Sequence, residues 1–298
     1  MKVAIDIGSN TVRMLVGESS SQRVVPRHYY RYVTRLGGAY DPITGISSEA
    51  SERTIYALES FAQVIGKVKP ICIRAVATEA VRRAVNGQQF VAEVLARTGF
   101  VVEIVDGEEE ATLSSSGVLS GLNPQPAAAL IFDIGGGSTE FIMIEGGKRL
   151  WQQSYPLGVI SLAEAMDSSQ RIEQILAALA NDLRVAGLAP RLANKDCELV
   201  GTAGTVTTLA AIDLAMTEYD WQRINNYLLP QSTLFSLFER LLPLTAVERE
   251  RIAGVEKGRG DLILPGAEIV LALLKLFGKD QLRVSDFGLL EGILLSMR

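Results

Sequence analysis

Two stretches of this sequence nearly repeat each other, and the repeat limits what the chain can fold into. Ala4-Ile5-Asp6-Ile7-Gly8-Ser9-Asn10-Thr11-Val12-Arg13-Met14-Leu15-Val16 reads as an apolar strand ending in Asp, a small polar turn and a second apolar strand. Leu130-Ile131-Phe132-Asp133-Ile134-Gly135-Gly136-Gly137-Ser138-Thr139-Glu140-Phe141-Ile142 reads the same way. Glycines let backbone N–H groups crowd an anion, and the small hydroxyls add donors. The Asp at the strand end can hold a hydrated Mg²⁺ beside that anion. Two such turns facing each other would grip a phosphate chain from both sides of a cleft. A single Gly/Ser hairpin is usually only a turn; two of them, each after an Asp, are not usual.

The rest of the chain alternates between two periodicities. Short β-branched or alternating runs, bounded by Gly, Pro, Asp or Ser, predict strands at 2–6, 12–17, 31–35, 71–77, 101–105, 130–133, 140–144, 152–156 and 198–202. Apolar residues at helical spacing predict helices at 48–68, 90–98, 108–119, 169–186, 205–216, 231–241, 266–277 and 287–297. This is an α/β chain. Residues 121–126, Gly-Leu-Asn-Pro-Gln-Pro, have linker chemistry and precede the second Asp-Gly motif. The boundary is therefore placed between domains 1–122 and 123–298, with a last helix near 286–298 free to pack back on the first. Both halves then open on one motif, as duplication of a phosphate-binding domain would give.

Composition narrows the function. Apolar residues are 48% of 298, enough for a large core. Residues 1–100 hold 13 Lys and Arg against 8 Asp and Glu, a balance of +5; residues 101–298 hold 16 against 26, a balance of −10. A basic first half suits a polyanion, while the total of −5 is too acidic for a general nucleic-acid binder. His28 is the one histidine, so a His-based zinc site or a Ser-His-Asp triad is excluded. No Walker A pattern occurs, which disfavours a P-loop enzyme. Cys72 and Cys197 lie far apart in strand-like runs and read as free thiols of a cytoplasmic protein. The start of the chain has no basic leader, and the apolar run 264–277 is broken by Glu268 and Lys275. Neither a signal peptide nor a membrane span is expected.

The paired motif resembles the actin, hexokinase and Hsp70 superfamily. Within it the chain is similar to the exopolyphosphatase and guanosine pentaphosphate phosphatase (Ppx/GppA) family. The resemblance runs through Asp6-Ile7-Gly8-Ser9-Asn10-Thr11, Arg35-Leu36-Gly37, residues 77–86 and Gly107-Glu108-Glu109-Glu110-Ala111. It continues through Asp133 to Glu140, Gly201-Thr202-Ala203-Gly204-Thr205 and Arg259-Gly260-Asp261 to Gly266. It implies two actin-like, ribonuclease H-like domains with a phosphate-binding cleft between them. It implies a metal-dependent hydrolase that removes the terminal phosphate of inorganic polyphosphate or, in the same chemistry, of guanosine pentaphosphate (pppGpp). Mg²⁺ is the expected cofactor, with Mn²⁺ possible. A homodimer is the expected assembly.

The resemblance also distributes roles. Glu110, before the alanine of its motif, is implied as the base that takes a proton from water, while Glu108 and Glu109 complement a helix N-terminus. Asp133 and its counterpart Asp6 would hold the metal, and Glu140 would orient the metal or the water. Ser9, Asn10, Gly135, Gly136, Gly137, Ser138 and Thr139 would bind phosphate oxygens, and Arg82 would grip the phosphate chain. Gly204 and Thr205 open a helix after a strand. They suit either another phosphate or ordinary strand-to-helix packing.

Three arginines usual in the family are replaced here, by Thr112, Ser161 and Leu290. Two readings of other classes stay open: a small-molecule kinase of the same superfamily, and a non-catalytic protein that binds polyphosphate or an alarmone. The acidic second half and the three neutral positions predict an enzyme that holds few phosphate units and releases product often. Electrophoresis of a partial digest of long polyphosphate should show a ladder of intermediates. Disappearance of full-length material with no intermediates would contradict this.

Overall fold

In the computed structural model, residues 1–20, 23–38, 41, 43–163 and 168–297 are described. The chain divides into two compact units, Met1–Ser120 with Gly288–Arg298, and Gly121–Phe287. The linker expected at 122/123 thus lies two residues from this division, and the last helix belongs to the first unit.

The first unit runs β1 (Lys2–Ile7), β2 (Thr11–Ser19), β3 (Val24–Val33), α1 (Ser48–Val68), β4 (Cys72–Ala77), α2 (Glu79–Arg83), α3 (Gly87–Thr98), β5 (Val102–Ile104) and α4 (Gly107–Gly121). Its sheet has the order β3-β2-β1-β4-β5. β1 pairs antiparallel with β2 and parallel with β4. Being central, β1 is buried on both faces from Val3 to Ile7, which is why the sequence there is a continuous apolar run broken only by Asp6. Ser47 caps α1 by accepting from the Ala50 N–H, and Lys69 closes that helix in the left-handed region. Phe61 of α1 enters the core with Ile5, Met14 and Leu58. Tyr30 and Tyr32 of β3 lean on the Phe61 ring, so the aromatic strand is a packing feature.

The second unit repeats the plan with β6 (Ala128–Ile134), β7 (Thr139–Glu145), β8 (Lys148–Tyr155), α5 (Val159–Ala163), α6 (Ser168–Val185), α7 (Ala189–Ala193), β9 (Cys197–Thr202) and α8 (Ala203–Asp213). Then follow α9 (Trp221–Ile224), β10 (Leu228–Pro230), α10 (Gln231–Leu241), α11 (Ala246–Arg249), α12 (Ile263–Phe277) and β11 (Gln281–Val284). The order β10-β11-β9-β6-β7-β8 contains the first sheet's pattern, an antiparallel three-strand meander with a parallel strand on its inner edge. Phe132, Phe141, Leu199 and Val206 fill its core.

Several local expectations differ from the fold. A strand was expected at 31–35, but β3 ends at Val33. The N–H groups of Thr34 and Arg35 both turn back to Asn10 O, at 3.0 and 2.9 Å, and Arg35 has φ +49°. The short strands β10 and β11 and the one-turn helix α5 carry too few residues for a periodicity to register. Both cysteines are free, and burial pushes the Cys197 thiol up. Among the described residues no helix is long and apolar enough to cross a membrane.

α13 (Leu289–Ser296) crosses α4 at two glycines. A Cβ built on Gly117 would lie 1.8 Å from Gly288 O, and one on Gly292 would lie 1.8 Å from Leu113 O. Leu290, the position usually arginine in the resemblance, is 3% exposed. Because both obstacles are backbone, neither can rotate away. Gly292→Ala should therefore destabilise the fold by about 3 kcal/mol or more, read as a lower urea midpoint. A midpoint equal to that of the parent would mean that the helices separate at little cost.

Candidate functional site

The two turns are built alike. In the first, Gly8 N–H donates to Thr11 O at 3.0 Å; in the second, Gly135 N–H donates to Ser138 O at 2.8 Å. In each, the N–H groups of a later segment around a Leu-Gly pair take the turn's carbonyls. Gly37 N–H donates to Ser9 O at 2.8 Å, beside the two bonds to Asn10 O. Past Leu157-Gly158, Val159 N–H donates to Gly135 O at 3.1 Å and Ile160 N–H to Gly136 O at 2.9 Å. Gly158 has no substitute there, since a Cβ would stand 2.2 Å from Gly136 O. With their carbonyls engaged from behind, the turns keep N–H groups and hydroxyls for an anion.

Opposite the strand-end Asp the two copies diverge. In the first unit Asp6 faces Arg13 across β1 and β2. The Arg13 guanidinium donates twice to Asp6 Oδ2, from Nε at 2.7 Å and Nη2 at 2.5 Å. Asp6 is 2% exposed, and its Oδ1 is buried without a hydrogen-bond partner among the described residues. In the second unit Asp133 faces Glu140 across β6 and β7. Glu140 Oε1 accepts from Ser138 Oγ at 2.5 Å and Ser154 Oγ at 2.7 Å.

Arg82 and Glu110 meet in the first unit. Arg82 Nη1 donates to Glu110 Oε2 at 3.0 Å and to Val105 O at 2.8 Å. Glu110 is fixed by the start of α4, where Asp106 Oδ1 accepts from Glu109 N–H at 2.8 Å and Asp106 O from Glu110 N–H at 3.0 Å. The neighbouring carboxylate is used differently: Glu109 binds Arg74 at 2.6 Å, with Glu103 on the same guanidinium at 2.7 Å. Arg83 is exposed and pairs with Glu79 at 2.9 Å. Gly37 brings the first turn and α2 together, its missing Cβ lying 3.1 Å from Ser9 Cβ and 3.6 Å from Ala80 Cβ.

One expected phosphate donor is corrected. Thr139 is fully buried and its hydroxyl donates to Leu157 O, so that side chain serves the turn from inside. Ser9, Asn10, Gly135, Gly136 and Ser138 are half-buried, and Gly137 is exposed with open space where its Cβ would be. Gly204 and Thr205 open α8 after Ala203, which has φ +65°. The Arg259 guanidinium lies over Gly204, where a Cβ would be 2.0 Å from Nη1, and Arg259 also pairs with Glu256 at 3.0 Å. A cation at a helix N-terminus suits an anion. Arg259 lies within a stretch that carries the resemblance and Arg13 within the repeated strand, but no spacing rule marks either. Of the neutral replacements, Thr112 Oγ1 donates to Glu108 O within its own helix and Ser161 Oγ to Gly158 O.

The residues expected to hold a metal are hard oxygen donors of the kind Mg²⁺ takes. Asp133 and Glu140 are directly opposed within one unit, and Asp6 in the other shares its carboxylate with Arg13. Among the described residues no group of three or more His, Cys, Asp or Glu side chains could by itself hold an ion. Any Mg²⁺ would thus depend on water and substrate oxygens for the rest of its shell.

Comparison with known proteins follows the same line. Residues 21–298 match the Ppx/GppA phosphatase family. The chain is 33% identical over 311 residues to exopolyphosphatase 2 of Mycobacterium tuberculosis, covering 99% of this chain and 97% of that one. It is similar to the solved Aquifex aeolicus PPX-GPPA enzyme, at 31% identity and TM-score 0.81, covering 99% and 98%. An exopolyphosphatase from Cytophaga hutchinsonii superposes at TM-score 0.86 with 26% identity, covering 99% and 97%.

The divergence of the two turns has a measurable consequence for stability. Arg13→Ala strands a buried carboxylate and should cost about 2 kcal/mol, below the range for fully buried pairs because the guanidinium is partly wet. Glu140→Gln relieves two opposed carboxylates and should change stability by less than about 0.5 kcal/mol. Urea unfolding of both variants checks the contrast, and equal effects would contradict it.

Proposed function

The chain belongs to the Ppx/GppA phosphatase family and is a phosphoanhydride hydrolase, and on that premise we propose that it is a metal-dependent exopolyphosphatase whose base is Glu110. The observation that carries this reading is the Arg82–Glu110 contact at 3.0 Å. A guanidinium that grips two oxygens of the terminal phosphate would bring that phosphate to the carboxylate. Glu110 then accepts a proton from the attacking water. The water oxygen bonds to the terminal phosphorus as the bridging P–O bond breaks. The bridging oxygen leaves on the shortened chain with the bonding electrons, and orthophosphate departs.

Other groups of the chain hold and orient. The N–H groups around Ser9 and Asn10, and those of Gly136 and Gly137, suit phosphate oxygens because their carbonyl sides are already bonded. Asp133 and Glu140 would hold Mg²⁺ or Mn²⁺, whose charge offsets that of the phosphate oxygens. Arg259 above Gly204 offers a further cation for the chain of phosphates. The basic balance of residues 1–100 supports a polyanionic substrate.

One assay tests the reading. Phosphate release is measured on polyphosphates of several lengths, guanosine pentaphosphate and ATP, for the parent and for Glu110→Gln. The parent should turn over polyphosphate with the highest kcat/KM. Glu110→Gln should lose about 10²–10⁴-fold in kcat with KM little changed. A higher kcat/KM on guanosine pentaphosphate would replace the substrate, and undiminished turnover by the variant would remove Glu110 as the base.

A further inference from the structure

A row of three side chains crosses each turn-bearing sheet at the level of the strand-end Asp. In the second unit the register runs Asp133 to Glu140 between β6 and β7, then Glu140 to Ser154 between β7 and β8. In the first unit the same row is Asp6, Arg13 and Arg31. Paired residues in such a row point to one face of the sheet. The third place is therefore positioned to act on the second, and in the two units it does so with different chemistry. Arg31 adds a second cation beside Arg13, while Ser154 adds a hydroxyl to Glu140.

That hydroxyl has a specific geometric effect. The last torsion of a glutamate is broad and close to two-fold, so an unsupported carboxylate swings. Glu140 Oε1 accepts from Ser138 Oγ at 2.5 Å on the turn side and from Ser154 Oγ at 2.7 Å on the edge-strand side. Two donors on one oxygen fix the plane of the carboxylate and the direction of Oε2. Ser138 stands in the turn itself, among the residues proposed to bind phosphate, so loss of its hydroxyl would touch two roles at once. Ser154 is exposed on an edge strand and has no such second duty.

We infer that Ser154 is a positioning residue: it holds the Glu140 carboxylate in the orientation that the hydrolytic reaction uses. This rests on the role proposed above for Glu140. A site tolerates only about 0.5 Å of misplacement, and misplacement by 1 Å can cost about 10²-fold in rate. With Ser138 still in place the loss should be smaller, about 10-fold.

The test compares the parent, Ser154→Ala and Ser154→Thr. Ser154→Ala should lower kcat on polyphosphate about 10-fold with KM within about 2-fold, because the hydroxyl touches Glu140 rather than substrate. Titration with Mn²⁺, followed by loss of the free-ion electron paramagnetic resonance signal without substrate, should show affinity weakened several-fold. Thr keeps the hydroxyl and suits a strand, so Ser154→Thr should return both values toward the parent. The melting temperature should not move, since no packing is lost at an exposed edge. An active parent whose kcat is unchanged in Ser154→Ala overturns the assignment, and so does a Thr variant as impaired as the Ala variant. A parent that releases no phosphate from polyphosphate removes the substrate reading instead. In that case unchanged Mn²⁺ affinity in Ser154→Ala overturns the positioning role on its own.

Discussion

Everything at the candidate site depends on how the two turns dispose of their carbonyls. A peptide in a tight turn presents either its N–H or its C=O to a ligand, and only the former attracts phosphate. Ser9 O and Asn10 O are taken by N–H groups of residues 34–37, and Gly135 O and Gly136 O by those of Val159 and Ile160. The capture needs close backbone contact, which Gly37 and Gly158 provide. The Leu-Gly pairs at 36–37 and 157–158 are thus as much a part of the candidate cradle as the turns, though they follow them by 19 residues or more.

The two turns differ in charge at one position. Seven residues after the strand-end Asp stands Arg13 in one unit and Glu140 in the other. Arg13 neutralises Asp6 where burial would otherwise make the carboxylate costly. Glu140 does the reverse, setting a second carboxylate against Asp133. Opposed carboxylates in a sheet repel, and a divalent cation removes the repulsion. The first turn therefore suits anions alone, the second an anion together with a metal. The same contrast runs through the sequence as a basic first third and an acidic remainder.

The duplicated motif, the α/β class and the long helices were legible because they rest on short-range patterns. Asp6, Gly8, Asp133 and Gly135 occupy equivalent places in both turns, as their spacing implies. Thr139 was misread because a hydroxyl in a Gly/Ser/Thr string looks like any other, yet the strand alternation turns this one into the core. Arg35 was read into a strand because the two bonds that bend the chain there come from Asn10, 25 residues earlier. Ser154 and Arg13 gave no local signal at all. Their roles follow from cross-strand register, which depends on pairing rather than on adjacency.

The run Glu108-Glu109-Glu110 shows how partners, not residue type, assign function. Three identical side chains open α4, and each would favour the helix dipole. Glu109 is bound by Arg74, which Glu103 also holds, so its charge serves the junction of β4, β5 and α4. Glu110 lies about 100° further around the helix and meets Arg82 instead. Arg82 is itself anchored on Val105 O, the carbonyl just before the Asp106 cap. The guanidinium thus holds the Glu110 carboxylate, the Val105 carbonyl holds the guanidinium and Asp106 holds the helix start, while a quarter of the Glu110 side chain stays exposed to water. A carboxylate so held is oriented by the protein yet open to the solvent that hydrolysis consumes.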